Sequence, residues 1–188
     1  MKGKLIIISG PSGAGKTSIV KYLLAKNSHL TFSISACSRS RRKDEKEGQE
    51  YYFLSAEEFK QEIKNNSFLE WEEVYKNQYY GTLQTEINRI WKSEKHVLFD
   101  VDVAGALNIK SKFPKKTLTI FIMPPSLKTL KSRLHHRDSE SNESLLIRLN
   151  KAKSEIKEAK KFDKIILNQD FENSCKGTLK EVENFIKK

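Results

Sequence analysis

The segment from Leu5 to Leu24 constrains this chain more than any other. Leu5, Ile6, Ile7 and Ile8 run without a polar break, as expected of a strand buried on both faces of a parallel sheet. Gly10-Pro11-Ser12-Gly13-Ala14-Gly15-Lys16-Thr17 follows and fits G-x-x-x-x-G-K-[ST] at every fixed position. Ile19, Val20, Leu23 and Leu24 then recur at helical spacing. Each residue type has a physical reason. Glycines let the backbone wrap around a phosphate chain, and the first amides of the helix aim the positive end of its dipole at the anion. Lys16 brings a mobile positive charge to the terminal phosphates, and the Thr17 hydroxyl is placed to ligate Mg²⁺. An ordinary glycine-rich turn needs no such combination of strand, spacing and Lys-Thr pair. The segment therefore predicts nucleoside triphosphate binding.

Further along, Thr31 to Ser35 reads as a second strand, after which the α/β rhythm breaks. Residues 37–48 are polar and carry Arg39, Arg41 and Arg42. Tyr51-Tyr52-Phe53 reads as a strand, and Ser55-Ala56-Glu57-Glu58 as a capping box opening a helix. Phe68 to Tyr75 and Tyr79-Tyr80-Gly81 are expected to pair across a turn at Asn77-Gln78. This is a small, mostly antiparallel insertion. The alternating pattern then resumes with a helix from Leu83 to Lys92 and a strand from Val97 that ends in Asp100 and Asp102. A buried strand from Leu118 to Met123 follows, then a helix from Ser126 to His135 and a long helix from Glu143 to Lys161. A strand from Lys164 to Leu167 and a last helix complete the pattern. Such alternation predicts an α/β fold, a parallel sheet flanked by helices, with ligands at the carboxyl ends of its strands.

Composition narrows the partners. The formal net charge is +11, which invites a nucleic-acid reading. The lysines, however, are spread through helices and interleaved with glutamates, as between Lys151 and Lys161, and no arginine-rich block with aromatics occurs. A positive field of this kind suits solvation and the steering of phosphate anions. No run of eighteen apolar residues is present to span a membrane, and the four histidines have no metal-ligand spacing. Cys37 and Cys175 read as two free thiols; with the first strand beginning close behind Met1, a cytoplasmic location is expected.

A second anion site is legible in the insertion. Arg39, Arg42, Tyr51 and Tyr80 supply the guanidinium forks and phenol hydroxyls that a terminal phosphate needs. Glu70 stands in an apolar, aromatic strand between Leu69 and Trp71, where an unpartnered carboxylate is costly. It either pairs with a local lysine or arginine, or accepts from the adjacent N1–H and N2 amino donors of a guanine.

In order and spacing the P-loop, residues 35–42, Glu70-Trp71, Tyr79-Tyr80-Gly81-Thr82, Asp100-Val101-Asp102 and Asn168 resemble guanylate kinase over nearly the whole chain. The resemblance implies a P-loop nucleoside monophosphate kinase fold and Mg²⁺-dependent transfer of the ATP γ-phosphoryl group to GMP. It implies a core of residues 1–35 and 83–188, a lid at about 135–148 and a GMP-binding insertion at 36–82. ATP would be held by residues 10–17 (Gly10, Pro11, Ser12, Gly13, Ala14, Gly15, Lys16, Thr17) with Arg133, Arg137 and Asn168. GMP would be held by Ser35, Arg39, Arg42, Tyr51, Glu70, Tyr80, Thr82 and Asp100. Lys16, Arg39, Arg137 and Arg148 would be catalytic, and Asp102 would reach the metal through water. The implied partners are ATP and GMP, without nucleic acid or membrane, in a monomer or homodimer. The chain departs from the family's pattern at Arg41, Asp44, Ala104, Asp138 and the turn at residues 76–78. A sugar-phosphate kinase, a phosphopeptide-binding module and a nucleic-acid-dependent NTPase are the rival readings.

Overall fold

The apolar run behind Gly3 becomes β1 (Leu5–Ser9), buried at all five positions. The computed structural model describes residues 3–135 and 142–187. After β1 come α1 (Lys16–Lys26) and β2 (Leu30–Phe32), then β3 (Ser35–Cys37), β4 (Tyr51–Phe53), α2 (Ala56–Lys64), β5 (Phe68–Tyr75) and β6 (Gln78–Leu83). The second half runs through α3 (Gln84–Lys92), β7 (His96–Asp100), α4 (Val103–Lys112), β8 (Thr117–Met123) and α5 (Leu127–His135). It ends with α6 (Asn142–Glu158), β9 (Lys164–Leu167) and α7 (Phe171–Lys187).

β1 lies at the centre of a five-stranded sheet ordered β2-β7-β1-β8-β9, and every pairing in it is parallel. The two-residue period of a strand explains why the run has no polar break. Ile6 and Ile8 face α1 and α7, where they meet Ile19, Leu23 and Val182. Leu5 and Ile7 face α3 and α4, where they meet Ile90, Ala106 and Ile109. Both faces are covered, so both residue sets must be apolar.

The second sheet, ordered β4-β3-β6-β5, is mixed. β3–β4 is parallel, while β3–β6 and β5–β6 are antiparallel. α2 closes it by placing Phe59 on Phe68, with ring centroids 4.3 Å apart, and on Tyr79 at 5.5 Å. The expected capping box is present: Ser55 accepts from the Glu58 amide, and Glu58 accepts in return from the Ser55 amide.

The single strand expected from Thr31 to Ser35 is two strands in two sheets. The Ser33 amide still donates to Leu98 of β7 at 2.9 Å, but the next amide, Ile34, donates to the side chain of Glu86 at 3.0 Å. Glu86 also accepts from the Tyr52 hydroxyl and from Nε and Nη2 of Arg89. One buried carboxylate on α3 thereby diverts the chain out of the main sheet and into the second.

Smaller differences have local causes. The hairpin turn is at Lys76-Asn77, one residue earlier than expected, because Asn77 takes the left-handed region (φ 59°) and Gln78 already pairs with Tyr75. β7 stops at Asp100, and Asp102 caps α4 by accepting the Gly105 amide at 2.8 Å. α6 stops at Glu158, and residues Ala159–Lys161 tighten into a 3₁₀ turn.

Candidate active site

The carboxyl ends of β1 and β7 open into a cleft of about 790 Å³ between the two sheets. Its floor is the P-loop. Gly10 (φ 137°) and Gly15 (φ 96°) hold conformations that side-chain-bearing residues rarely adopt. A Cβ on Gly10 would stand 2.5 Å from the Ile122 carbonyl, and one on Gly15 would stand 2.4 Å from Asn168 Nδ2. Asn168 is buried, and its Nδ2 donates to the Ala14 carbonyl at 2.7 Å. It braces the loop from beneath and is not among the residues lining the cleft.

Lys16 lines this cleft with its ammonium folded onto the loop, donating to the Gly10 carbonyl at 2.7 Å and the Pro11 carbonyl at 3.2 Å. Thr17 Oγ1 donates to Asp100 Oδ2 at 3.1 Å across the end of the sheet. Arg148 reaches back from α6 to donate to Ser12 Oγ at 2.8 Å, which ties that helix to the loop. Ser12, Gly13, Asp100 and Asp102 also face this space. Pro11 and Ala14 serve it through their carbonyls.

Thr17 and Asp100 fit a magnesium site, since Mg²⁺ takes few protein oxygens and completes its shell with water and substrate phosphates. Among the described residues no three His, Cys, Asp or Glu side chains converge into a cage of their own. This is the donor set expected where the ion arrives with a nucleotide.

A second hollow of about 390 Å³ adjoins the first and shares Ser12, Tyr51, Asp100 and Asp102 with it. Ser35, Glu70 and Tyr80 line its far side. Glu70 reaches it because of an irregularity in β5: Phe68 pairs with Leu83 and Glu70 with Thr82, leaving Leu69 between them. Phe68 then enters the small core of the insertion, Leu69 enters the main core, and Glu70 is left to face the hollow. Thr82 Oγ1 donates to Glu70 Oε1 at 2.7 Å. A Cβ on Gly105 would lie 2.8 Å from Oε2, so a glycine there keeps the second oxygen uncrowded. Burial pushes the Glu70 carboxyl up to about 7, against the Thr82 hydrogen bond that favours its ionised form.

At the other side of the hollow, Arg39 Nε donates to the Tyr80 hydroxyl at 3.2 Å, and its guanidinium lies over the Tyr51 ring at 5.0 Å. Tyr51 and Tyr80 meet edge-on at 5.9 Å. Arg42 faces the larger cleft together with Tyr51 and Lys16. Tyr51 lines both hollows, Arg42 the larger and Tyr80 the smaller, while Arg39 lines neither and stands behind Tyr51 and Tyr80, in contact with both. Arg133 is on α5 and is not among the residues lining the cleft, while Arg137 lies outside the described residues, as does the middle of the expected lid.

Other residues here were not singled out from the sequence. Lys151 and Glu155 line the cleft beside Arg148, with Lys151 Nζ 3.8 Å from Asp102 Oδ2. The spacing Arg148, Lys151, Glu155 places all three on one helix face, which was the available signal. Glu72 shares the strand face of Glu70, as a two-residue period requires. Its contact with the Asp102 carboxyl, and then its burial, raise its pKa.

Comparison with known proteins decides the family: the guanylate kinase family model matches residues 2–188. The chain belongs to the guanylate kinase family. It is 46% identical over 188 residues to guanylate kinase of Bacteroides thetaiotaomicron, covering 100% of this chain and 92% of that one. It is 48% identical over 186 residues to guanylate kinase of Porphyromonas gingivalis, covering 98% and 99% respectively. The crystal structure of guanylate kinase from Anaplasma phagocytophilum superposes with a TM-score of 0.74 at 28% identity, covering 98% of this chain and 85% of that chain. Guanylate kinases are phosphotransferases, and this chain is a kinase of that family.

Proposed function

We propose that the P-loop cleft holds ATP, that the adjoining hollow holds GMP, and that the γ-phosphoryl group passes between them where the two spaces meet. The observation that carries this reading is the continuity of the hollows: Lys16, Arg42 and Tyr51 face one space, and Tyr51 and Glu70 face the next. Residues 10–17 wrap the triphosphate, with Asn168 acting on it through the loop it braces. Ser35, Glu70 and Thr82 read guanine, whose N1–H and N2 amino group offer paired donors to a carboxylate; adenine has no such pair. Arg39, Arg42, Tyr51 and Tyr80 take the GMP phosphate. Residues 36–82 move as the GMP-binding part against a core of residues 1–35 and 83–188, with the lid at about 135–148 carrying Arg137 toward ATP.

The reaction needs positioning and charge stabilisation more than proton transfer, because the attacking phosphate oxygen is already ionised. Lys16 leaves its carbonyl partners for the β- and γ-phosphates. Arg148, held at Ser12, faces the same space and offsets charge on the transferred group. Mg²⁺, when bound with ATP, neutralises phosphate charge; Thr17 would hold it directly, with Asp100 and Asp102 positioned to act through its waters. Closure of the insertion and lid excludes water that would otherwise accept the phosphoryl group. The two buried free thiols fit a reducing, cytoplasmic setting.

A coupled assay with ATP, Mg²⁺ and a panel of nucleoside monophosphates tests the assignment. GMP is expected to release ADP at a rate well above AMP, CMP or UMP. Equal turnover with AMP would remove the guanine reading of Glu70.

A further inference from the structure

We propose that Glu45 is a positioning residue that turns one edge of Arg39 toward the GMP phosphate. The inference rests on the assignment of Arg39 to that phosphate. Glu45 grips the end of the guanidinium with both oxygens: Nη1 donates to Oε2 at 2.6 Å and Nη2 to Oε1 at 2.5 Å. Nη1 also donates to the Ser40 carbonyl at 2.9 Å, and Nε donates to the Tyr80 hydroxyl at 3.2 Å.

A guanidinium has five N–H donors in a rigid plane. Four are directed by these contacts, and the fifth is the second hydrogen of Nη2, on the edge that also carries Nε. That edge is where the Tyr80 hydroxyl stands, and Tyr80 lines the GMP hollow. The Tyr51 and Phe53 rings pack on it as well, at 5.0 Å and 5.7 Å, and with their own centroids 5.9 Å apart both stand on one side of it. The donor left for a phosphate is therefore the second Nη2–H, beside the tyrosine hydroxyl.

Glu45 is built into its loop rather than standing in for an absent phosphate. Its side chain is 14% exposed. Its Oε2 also accepts the Arg42 amide at 2.9 Å, which couples the two phosphate-binding arginines. It does not line either hollow, whereas Tyr51 and Tyr80 do. The hydrogen bond from Arg39, followed by that from the Arg42 amide, holds its carboxyl well below the usual range, so it keeps its charge at any working pH.

Steady-state kinetics on the intact enzyme test this with Glu45→Gln, Arg39→Met and the double variant. Glu45→Gln keeps the shape and halves the fork, and is expected to raise KM for GMP by on the order of 10- to 100-fold, the scale of a lost charge-assisted contact. KM for ATP should stay within about twofold, a split that general loosening of the fold would not produce. In the Arg39→Met background the Glu45 substitution should add little, since the group it positions is gone. If Arg39→Met raises KM for GMP and Glu45→Gln leaves it unchanged or lowers it, Glu45 does not position Arg39. If Arg39→Met itself leaves KM for GMP unchanged, the phosphate assignment beneath the proposal falls instead. Should Glu45→Gln not fold, Glu45→Asp, which keeps the charge but shortens the reach, is measured by the same split and against the same outcomes.

Discussion

Thr82 Oγ1 donates to Glu70 Oε1 at 2.7 Å, joining neighbouring strands of the insertion through a buried side-chain pair. The pair leaves Oε2 directed past Gly105, and it leaves a carboxyl whose ionised form burial disfavours. A hydroxyl supplies one hydrogen bond, and a guanine edge would supply two more. The far side of the second hollow is therefore satisfied better with a ligand than without one.

The pH dependence follows with a definite sign. The carboxyl is pushed up to about 7, and only the carboxylate accepts two guanine donors. KM for GMP is expected to rise as pH falls below about 7 and to level off above it, while KM for ATP does not follow. Glu70→Gln should abolish that dependence and raise KM for GMP by up to about 10⁴-fold, the discrimination a hydrogen-bonding site reaches. Without ligand the sign reverses. A folded-state carboxyl pKa above the unfolded value costs stability once ionised, so Glu70→Gln should raise the melting temperature at pH 8 and gain little near pH 4. Calorimetry at the two pH values reads this out.

Lys16→Ala should lower turnover by on the order of 10³-fold or more, the scale on which a transition-state cation acts in phosphoryl transfer. Among the described residues Lys16 hydrogen-bonds to two loop carbonyls, so the far-ultraviolet circular dichroism spectrum should not change. Near-normal turnover would remove Lys16 from the catalytic set.

Asn168→Ala removes the amide beneath Ala14 and leaves a buried carbonyl short of its donor, a loss of roughly 1–3 kcal/mol. Weaker ATP binding with GMP affinity preserved is the expected result, measured by titration of each nucleotide separately. Loss of GMP binding alone would contradict the bracing role.

His96 provides a stability test away from the chemistry. Its Nδ1 accepts the Lys4 amide at 3.1 Å, and burial, with Lys4 and His29 adding to it, lowers its pKa. The unfolded chain binds that proton more readily, so stability is expected to fall as pH drops below about 6.5. Melting temperatures between pH 5 and 8 measure the slope, and His96→Gln should flatten it.

The P-loop and the existence of an insertion could both be read along the chain, because local spacing and residue chemistry carry them, and the role proposed for Arg39, Arg42, Tyr51 and Tyr80 was argued from the same residue chemistry. The run at residues 5–8 announced a strand covered on both faces, and Ser55 with Glu58 announced a helix start. The split of the expected 31–35 strand could not be read in this way. It depends on Glu86, more than fifty residues downstream, taking the Ile34 amide away from the sheet. Asp102 looked like the end of a strand for a similar reason: its capping bond to Gly105 competes with metal and water roles that residue type alone does not rank.

By itself, then, the sequence determined which groups the protein owns and which short-range patterns they form: a glycine loop between a buried strand and a helix, and a carboxylate that could not sit unpartnered among aromatics. Tertiary structure decided which of those groups face one another. A single irregularity in β5 aims Glu70 at the hollow instead of the insertion's core, and Glu45 takes two of Arg39's five donors before any substrate arrives. Both outcomes depend on hydrogen bonds and packing between strands and loops whose pairing no local pattern encodes, and that is why they appear only in the folded chain.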